Sequence, residues 1–441
     1  MKFPLLPLIL ATAALTSCAH YQARPLSAET GSAEFAGRSL SDPGLRAFLA
    51  EQKAAQGSWG VNRLSLAAAY FHPDVALARA EAGEAAAGIE TAQMRPNPVF
   101  TFMPQYASFR APAPTPWFFG PNLTIPIETA GKRSKRTAQA LAAAEAARWR
   151  VSERAWQARS RVRAAMLELH GARQNIALLQ SEQSLHEEAI KKLTAQMEAG
   201  DVSPFELTQA RLMLNRTRLS LQDAQRTAAT GEAKLAAAVG VPVSAIRAVK
   251  LDFSAFDRLG SPSEARRKAL TQRADLMALL AEYAASEAAL RLEIAKQYPD
   301  VNLGPGYDYN SGQNRWQLGL SVPIPLNKNR GPIVQAEAKR VTAEKRFLAQ
   351  QATISGELDV ALAAYNASRD KAQTATTIAQ EAQTAADTTK RMVEGGELSP
   401  LEHTRRQIEA SAANVARLAA QLEAQTAAGA LEDAMHAPLS P

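Results

Sequence analysis

A motif of the form Gly-x-x-Ser-Pro-x-Glu occurs twice in this 441-residue chain, at residues 200–206 and 396–402. Glycine favours the left-handed backbone that ends a helix. Serine and proline favour the N-cap and the first position of the next helix, and a glutamate three residues after the serine completes a capping box. Each motif therefore predicts a tight corner between two helices. A repeated corner predicts an internally duplicated fold.

The elements around the two corners follow the same predicted order, α-β-β-α-α. The predicted segments are a signal peptide at 1–17, an arm at 18–65, repeat 1 at 66–242, a connector at 243–265, repeat 2 at 266–436 and a tail at 437–441. Within the repeats, paired strands are predicted at about 98–127 and 299–325, and helical hairpin tips near 200–204 and 396–400. The arm is predicted to be extended, apart from a short helix near Pro43–Gln52.

The helix that precedes each corner is predicted to be unusually long, at about 133–199 and 333–393. Neither stretch contains proline, so each can continue without a break for about 90–100 Å. Apolar residues recur in these stretches at three- and four-residue spacing. Such helices must pack side by side, as a coiled coil or a wall of helices.

The predicted strands alternate apolar and polar residues over about nine positions, the length of a tilted strand that spans a bilayer. In repeat 2 the apolar series are Val301, Leu303, Pro305, Tyr307 and Tyr309, then Trp316, Leu318, Leu320, Val322 and Ile324. In repeat 1, Phe100, Phe102 and Tyr106 are expected on one face, and Leu123, Ile125 and Ile127 on another. A half-buried soluble sheet would show the same alternation, so the strands alone leave both readings open.

The first residues have the pattern of an export signal. A positive start and an apolar stretch too short to span a bilayer precede Leu15-Thr16-Ser17-Cys18, which resembles the lipobox of bacterial lipoproteins. Cys18 is the only cysteine, which excludes an intrachain disulfide and makes it the predicted lipid anchor. By the same resemblance, Ala19 in place of aspartate favours the outer membrane.

The chain is basic, with a net charge of +7, and basic residues follow the second predicted strand of each repeat. Lys132, Arg133, Lys328 and Arg330 lie where a strand would leave a membrane, so they are predicted to reach towards lipid headgroups. Nucleic-acid binding is the alternative for such clusters. No aromatic stacking platform accompanies them, and the prediction is that the chain does not bind nucleic acid.

No catalytic pattern is found in the sequence. The six histidines show no metal-ligand spacing, and both a phosphate-binding loop and a Gly-x-Ser-x-Gly elbow are missing. The sequence therefore predicts a protein that is not an enzyme, with no catalytic residues, no metal site and no cofactor.

Taken together, the lipobox, the duplicated α-β-β-α-α unit, the strands and the corners resemble the TolC-type outer-membrane factor family. The arm, with Tyr21, Arg24-Pro25-Leu26 and Trp59, looks like its lipoprotein, CzcC-like heavy-metal branch. The resemblance implies a mainly α fold with transmembrane β-strands. Three protomers would supply four strands each to a β-barrel, above a long α-helical periplasmic barrel. The implied partners are a periplasmic adaptor and, through it, an inner-membrane RND-type pump.

The resemblance also implies roles for particular positions. The adaptor-docking residues would be those of the two corners: Gly200, Ser203, Pro204, Gly396, Ser399 and Pro400. Glu402 matches a position where family members often carry an acid that constricts the tip. Arg405 replaces a second such acid, so Glu402 and Arg405 could form a salt-bridge gate between protomers at the three-fold axis, and Glu206 is a further candidate for the gate. Glu206 and Glu402 also have the simpler role of capping-box partners.

The predicted function is therefore the outer-membrane exit duct of a tripartite efflux system, lipid-anchored in a Gram-negative bacterium and exporting metal ions or drugs. Two alternatives stay open. A periplasmic adaptor lipoprotein would carry one helical hairpin between β-domains, and a type I secretion duct would share the whole architecture. The sequence names neither the cargo nor the partner pump, and it leaves the resting state of the tip open.

Overall fold

The computed structural model describes residues 21–108, 115–260, 265–310 and 312–439, with the backbone alone for 265–268. The predicted signal peptide and Cys18 lie outside the described residues. Within those residues, no helix combines the length and the apolar character needed to cross a membrane.

The described part of the arm contains two helices, and a third helix crosses the predicted boundary between the arm and repeat 1. The elements up to the first corner and its return helix are α1 (Ala28–Gly37), α2 (Pro43–Glu51), α3 (Val61–Phe71), α4 (Pro73–Gln93), β1 (Val99–Tyr106), β2 (Trp117–Ile127), α5 (Lys132–Glu198) and α6 (Pro204–Val239). The extended arm of the sequence prediction is wrong in part, because α1 is helical. Ser27 caps α1 through a hydrogen bond from the Thr30 N–H at 3.1 Å, a local signal that the prediction missed.

Repeat 2 follows a short connector. Its elements and those of the connector are α7 (Val243–Arg247), α8 (Ala265–Gln272), α9 (Ala274–Ala295), β3 (Val301–Asn310), β4 (Gln313–Ser321), α10 (Arg330–Glu394) and α11 (Pro400–Met435). The predicted order α-β-β-α-α is confirmed in both repeats. β4 ends earlier than the alternation suggested, since Pro323 and Pro325 lack the N–H that a ladder needs.

The helix α5 has 67 residues and α10 has 65, so each is about 100 Å long. α5 packs against α4, α6, α9 and α11, and α10 packs against α9 and α11. Close approach is possible where side chains are small. At Gly171 of α5, an added Cβ would lie 2.4 Å from Cδ1 of Leu422 on α11. The two repeats therefore share one continuous layer of helices.

The core is divided into clusters that correspond to the two repeats. The repeat 1 cluster contains buried residues of α2, α3, α5 and α6, among them Leu49, Leu64, Met166, Leu169 and Leu235. The repeat 2 cluster joins α9, α10 and α11 through Leu276, Ile354, Leu358, Tyr365 and Leu431. Each cluster lies along the half of the hairpin nearer the strands, so the corners extend away from the main core.

The four strands form one antiparallel sheet in the order β1-β2-β3-β4. Phe100 pairs with Leu123, and Ile125 pairs with Leu303. In repeat 2, Tyr307 pairs with Trp316. The sheet therefore unites both repeats through the contact between β2 and β3.

Candidate functional site

Both corners have the backbone that the motif predicts. Gly200 and Gly396 follow α5 and α10 with φ of +85° and +80°, in the left-handed region. Pro204 and Pro400 are the first residues of α6 and α11. A Cβ added at either glycine would meet no atom within 4 Å. The glycines are therefore required by backbone conformation, and the space around them is free for a partner.

The two corners differ in their caps. The Ser399 hydroxyl accepts a hydrogen bond from the Glu402 N–H at 3.3 Å, whereas Ser203 makes no side-chain cap. The carboxylates of Glu206 and Glu402 turn towards arginines. The complete capping boxes expected from the motif therefore do not form, because Glu206 pairs with Arg405 of α11 and Glu402 pairs with Arg406 on its own helix.

The candidate gate residues form ion pairs within one chain. Arg405 Nη2 lies 3.2 Å from Glu206 Oε2, and both side chains are about half exposed. Glu402 Oε1 lies 3.4 Å from Nε of Arg406, one turn along α11. Within one chain, Arg405 thus joins α11 to α6 and links the two hairpins, and the Glu402–Arg405 pair between protomers stays a prediction.

A second link between the hairpins was not predicted from the sequence. Lys192 Nζ donates to Thr404 Oγ1 at 2.7 Å and to the Pro400 carbonyl oxygen at 3.1 Å. An apolar cluster surrounds this contact and includes Leu193, Leu207 and Leu401. The only sequence signal at Lys192 is its helical spacing from Glu188, which says nothing about α11. These contacts and the Arg405 pair hold the corner ends of the hairpins together.

The four basic residues at the strand–helix junctions fall into two kinds. Lys132 is buried, and its Nζ lies 2.7 Å from both Asp300 Oδ1 and the Tyr298 carbonyl oxygen. The Lys132 side chain therefore joins repeat 1 to repeat 2 and does not project outwards, contrary to the predicted reach towards lipid. Arg133, Lys328 and Arg330 are exposed.

The sheet presents one continuous apolar face. In an antiparallel ladder, directly paired residues point to the same side, so the register places most of the apolar residues of all four strands together. They are Phe100, Phe102, Tyr106, Trp117, Phe119, Leu123, Ile125, Leu303, Tyr307, Tyr309, Trp316, Leu318 and Leu320. The prediction that the two strands of repeat 1 direct their apolar residues to different faces is wrong.

The opposite face is mostly polar or small, with Thr101, Asn122, Asn302, Gly304, Gln317 and Gly319, although Val99, Met103 and Phe118 also lie on it. On the apolar face, Trp316 is 85% exposed and Leu318 is 74% exposed in the single chain. Aromatic rings gather at the loop end of the sheet, where the Tyr106 and Trp117 rings lie 5.0 Å apart and the Tyr307 and Trp316 rings 5.2 Å apart. A soluble protein rarely exposes a continuous apolar patch of this kind.

A family model described as "Outer membrane efflux protein" matches residues 64–241 and 265–435. The chain belongs to this family. The two matched segments each contain one strand pair and one long hairpin. The chain is also 25% identical over 255 residues to the cobalt-zinc-cadmium resistance protein CzcC of Cupriavidus metallidurans. That match covers 57% of this chain and 61% of the relative, so the chain spans about three fifths of the curated relative it matches.

Solved structures share the fold of this outer membrane efflux protein. The outer-membrane protein VceC from Vibrio cholerae matches with a TM-score of 0.69 and 18% identity, over 86% of this chain and 96% of that chain. A structure of CusC, described in terms of folding and transmembrane channel formation, matches with a TM-score of 0.69 and 16% identity, over 85% and 91% of the two chains.

Proposed function

We propose that this protein is the outer-membrane exit duct of a tripartite efflux system, a passive trimeric tube and not an enzyme. Membership of the outer membrane efflux protein family supports this function. The structural observation that carries it is the exposed apolar face of the sheet, joined to helical hairpins about 100 Å long. An apolar band outside and a polar surface inside are the pattern of a membrane strand assembly.

Three copies would close this sheet into a barrel. β1 and β4 each have one neighbour in the described part of the chain, and an unpaired strand edge is too costly in lipid to remain open. Closure with four strands from each protomer pairs every edge. The aromatic rings at the loop end would lie at the membrane surface. Arg133, Lys328 and Arg330 would then approach lipid headgroups at the opposite surface.

The hairpins would extend through the periplasm and present their corners to a periplasmic adaptor. The adaptor would connect the duct to an inner-membrane pump of the RND type, which supplies the energy. The open space around Gly200 and Gly396 supports their corners as the docking surface. Its other members would be Ser203, Pro204, Ser399 and Pro400.

Metal ions are the proposed cargo. The relative in Cupriavidus metallidurans carries the name of a cobalt-zinc-cadmium resistance protein, and this supports export of divalent cations. Export of drugs, or of a protein in type I secretion, would contradict metal export. The test is growth of a duct-deficient strain that carries this protein, measured on zinc, cobalt or cadmium and, separately, on drugs. Restored growth on the metals alone would support metal export.

The test of the duct itself is location and protomer count. The full chain, expressed with its own signal in a Gram-negative host, should appear in the outer-membrane fraction with the native mass of a trimer in detergent. Leu318→Arg, on the apolar face, should reduce the amount of membrane trimer, whereas Gln317→Arg on the polar face should not. A monomer in the inner membrane or the soluble fraction would contradict the duct and favour an adaptor.

The lipid anchor is tested at Cys18, outside the described residues. Cys18→Ala should abolish incorporation of radiolabelled palmitate, because Cys18 is the only thiol that an acyl chain could occupy. Equal labelling of the variant and the parent protein would contradict the anchor. The parent protein without its first 17 residues provides an unlabelled reference.

The tip prediction concerns Arg405. Arg405→Ala removes the pair with Glu206, which is exposed and worth less than about 1 kcal/mol to folding. We therefore expect an unchanged melting temperature but a higher single-channel conductance in planar bilayers, because one link between the hairpins is lost. Arg369→Ala is the matched control, since Arg369 pairs with its neighbour Asp370 on the surface of α10. Equal conductance of both variants and the parent would show that Arg405 does not restrict the channel.

A further inference from the structure

Three potential metal ligands from distant parts of the chain meet at the junction of the repeats. They are Glu153 of α5, Asp275 of α9 and His436, the residue after α11. One ligand atom from each lies within 4.8 Å of the others. Glu153 Oε2 lies 3.5 Å from His436 Nδ1. Ligands bound tetrahedrally at about 2.0–2.2 Å from a zinc ion are separated by roughly this distance.

Glu153 has a free ligand atom. Its other oxygen accepts a hydrogen bond from Gln157 Nε2 at 2.7 Å, but Oε2 is buried and has no hydrogen-bond partner. Burial raises the pKa of Glu153. A buried oxygen without a donor is costly, and each such atom calls for an explanation. A cation between Glu153 and His436 would supply the missing partner.

His436 is held in place by its surroundings. Its ring stacks on Trp156 with centroids 5.4 Å apart, and its side chain is 10% exposed. Its backbone takes the left-handed conformation, with φ of +49°. These features fix the imidazole where its Nδ1 lies 3.5 Å from Glu153 Oε2.

Asp275 is the third and least available ligand. Its oxygens accept hydrogen bonds from Arg273, from Gln350 Nε2 at 2.9 Å and from the Leu276 N–H at 2.8 Å. These bonds orient the carboxylate, as outer contacts orient ligands in metal sites. A metal ion would have to displace the Gln350 amide from one lone pair. Glu153 and His436 are therefore the principal ligands.

The donor atoms of the cluster favour a transition-metal ion. Arg273 lies beside the cluster and pairs with Glu357, whose Oε2 is 2.9 Å from the guanidinium. One imidazole nitrogen and carboxylate oxygens suit zinc or cobalt, whereas calcium and magnesium prefer oxygen alone.

We propose that Glu153, His436 and Asp275 form a binding site for a divalent cation of the zinc type, with water at the remaining position. The sequence predicted no metal site, because these residues come from three separate parts of the chain and show no local spacing. The ion would join repeat 1 to both ends of repeat 2 in the helical wall. It would be a structural ion, separate from the cargo, and the site does not depend on the proposed function.

The test uses the full chain, purified in detergent and freed of metal by dialysis against a chelator. Calorimetric titration with zinc chloride should give one ion per protomer, while magnesium chloride should give no saturable binding. Zinc should also raise the melting temperature, because it binds the folded state alone. Glu153→Gln and His436→Asn should each weaken zinc binding about tenfold or more. Asparagine is chosen because it tolerates the left-handed backbone.

His403→Asn is the matched control, since His403 lies in α11 near the corner and its Nδ1 is also buried without a partner. Zinc affinity that is equal in the parent and the His436 variant would overturn the site, as would equal loss in the His403 variant. Cobalt(II) added to the parent protein provides a readout that needs no variant. Its visible spectrum should change from that of the hydrated ion to that of a low-coordinate ion, and an unchanged spectrum would also overturn the site.

Discussion

Glu432→Gln is expected to destabilise the folded protein by about 3–5 kcal/mol, because it removes one partner from a buried ion-pair network. Glu432 Oε2 lies 2.9 Å from Arg159 Nη1 and 3.3 Å from Arg163 Nε. The side chain of Glu432 is 9% exposed and that of Arg163 is 10% exposed. Glutamine keeps the volume of glutamate, so the substitution removes the charge and one of two acceptor oxygens, the other of which accepts from the Leu439 N–H at 3.1 Å.

The network is costly to break because the Arg163 guanidinium is buried and Glu432 is its ion-pair partner. Burial lowers the pKa of Arg163, and Glu432 opposes that effect. Arg163 also donates to the Gln425 carbonyl oxygen at 2.9 Å. A Cβ added at Gly429 would lie 2.4 Å from Arg163 Nη1, so the backbone of α11 packs directly against the guanidinium. The network therefore couples α5 of repeat 1 to α11 of repeat 2.

The measurement is the midpoint of thermal unfolding of the detergent-solubilised protein. Glu423→Gln is the control on the same helix, because Glu423 pairs with Lys371 at 2.5 Å where both side chains are more than half exposed. This surface pair is worth about 1 kcal/mol or less. Similar shifts for the two variants would show that the Glu432 network adds no more than a surface pair.

Gly240→Ala is the second substitution with a large expected effect. Gly240 ends α6 with φ of +84°, which costs a residue with a side chain about 1–2 kcal/mol. Its added Cβ would lie 2.9 Å from the Phe71 carbonyl oxygen and 3.0 Å from His72 Cα. These are backbone atoms that cannot rotate away, so overpacking adds about 1–3 kcal/mol.

Gly396→Ala separates the two contributions. Gly396 has nearly the same φ, +80°, but a Cβ there meets no atom within 4 Å. It should therefore show the backbone penalty alone, about 1–2 kcal/mol. Melting temperatures of the two variants test the difference. A shift at Gly240 no larger than the shift at Gly396 would mean that the neighbouring backbone adjusts without cost.

The sequence contains most of the information on the fold because its signals are local. Proline at the first helical position marks the starts of α6 and α11 at Pro204 and Pro400, and glycine marks the left-handed ends before them. Alternation over nine residues predicts each strand, and the duplication predicts the repeated order. These signals depend on the chemistry of neighbouring residues and need no knowledge of tertiary contacts.

The candidate site was predictable only in its backbone. The strand alternation could not place Phe100 and Leu123 on one face, because the register depends on pairing across a loop. The motif could not assign Arg405 to Glu206, since that contact joins helices far apart in the chain. The same holds for Lys132 and Asp300. In each case the role of the residue depends on a contact with a distant part of the chain, and the local sequence does not specify that contact.

The order of the strands has a genetic consequence. β1 and β4 lie at opposite edges of the sheet, so in a closed ring each protomer must rely on both of its neighbours. A chain with a defective β4 edge but an intact β1 edge would still join a ring through its β1 edge. The ring that contains it would then fail to close, although its other copies are intact. When both alleles are expressed equally, most rings of three would contain at least one defective member. Lesions at these edges should therefore be dominant, whereas lesions that prevent folding altogether should be recessive.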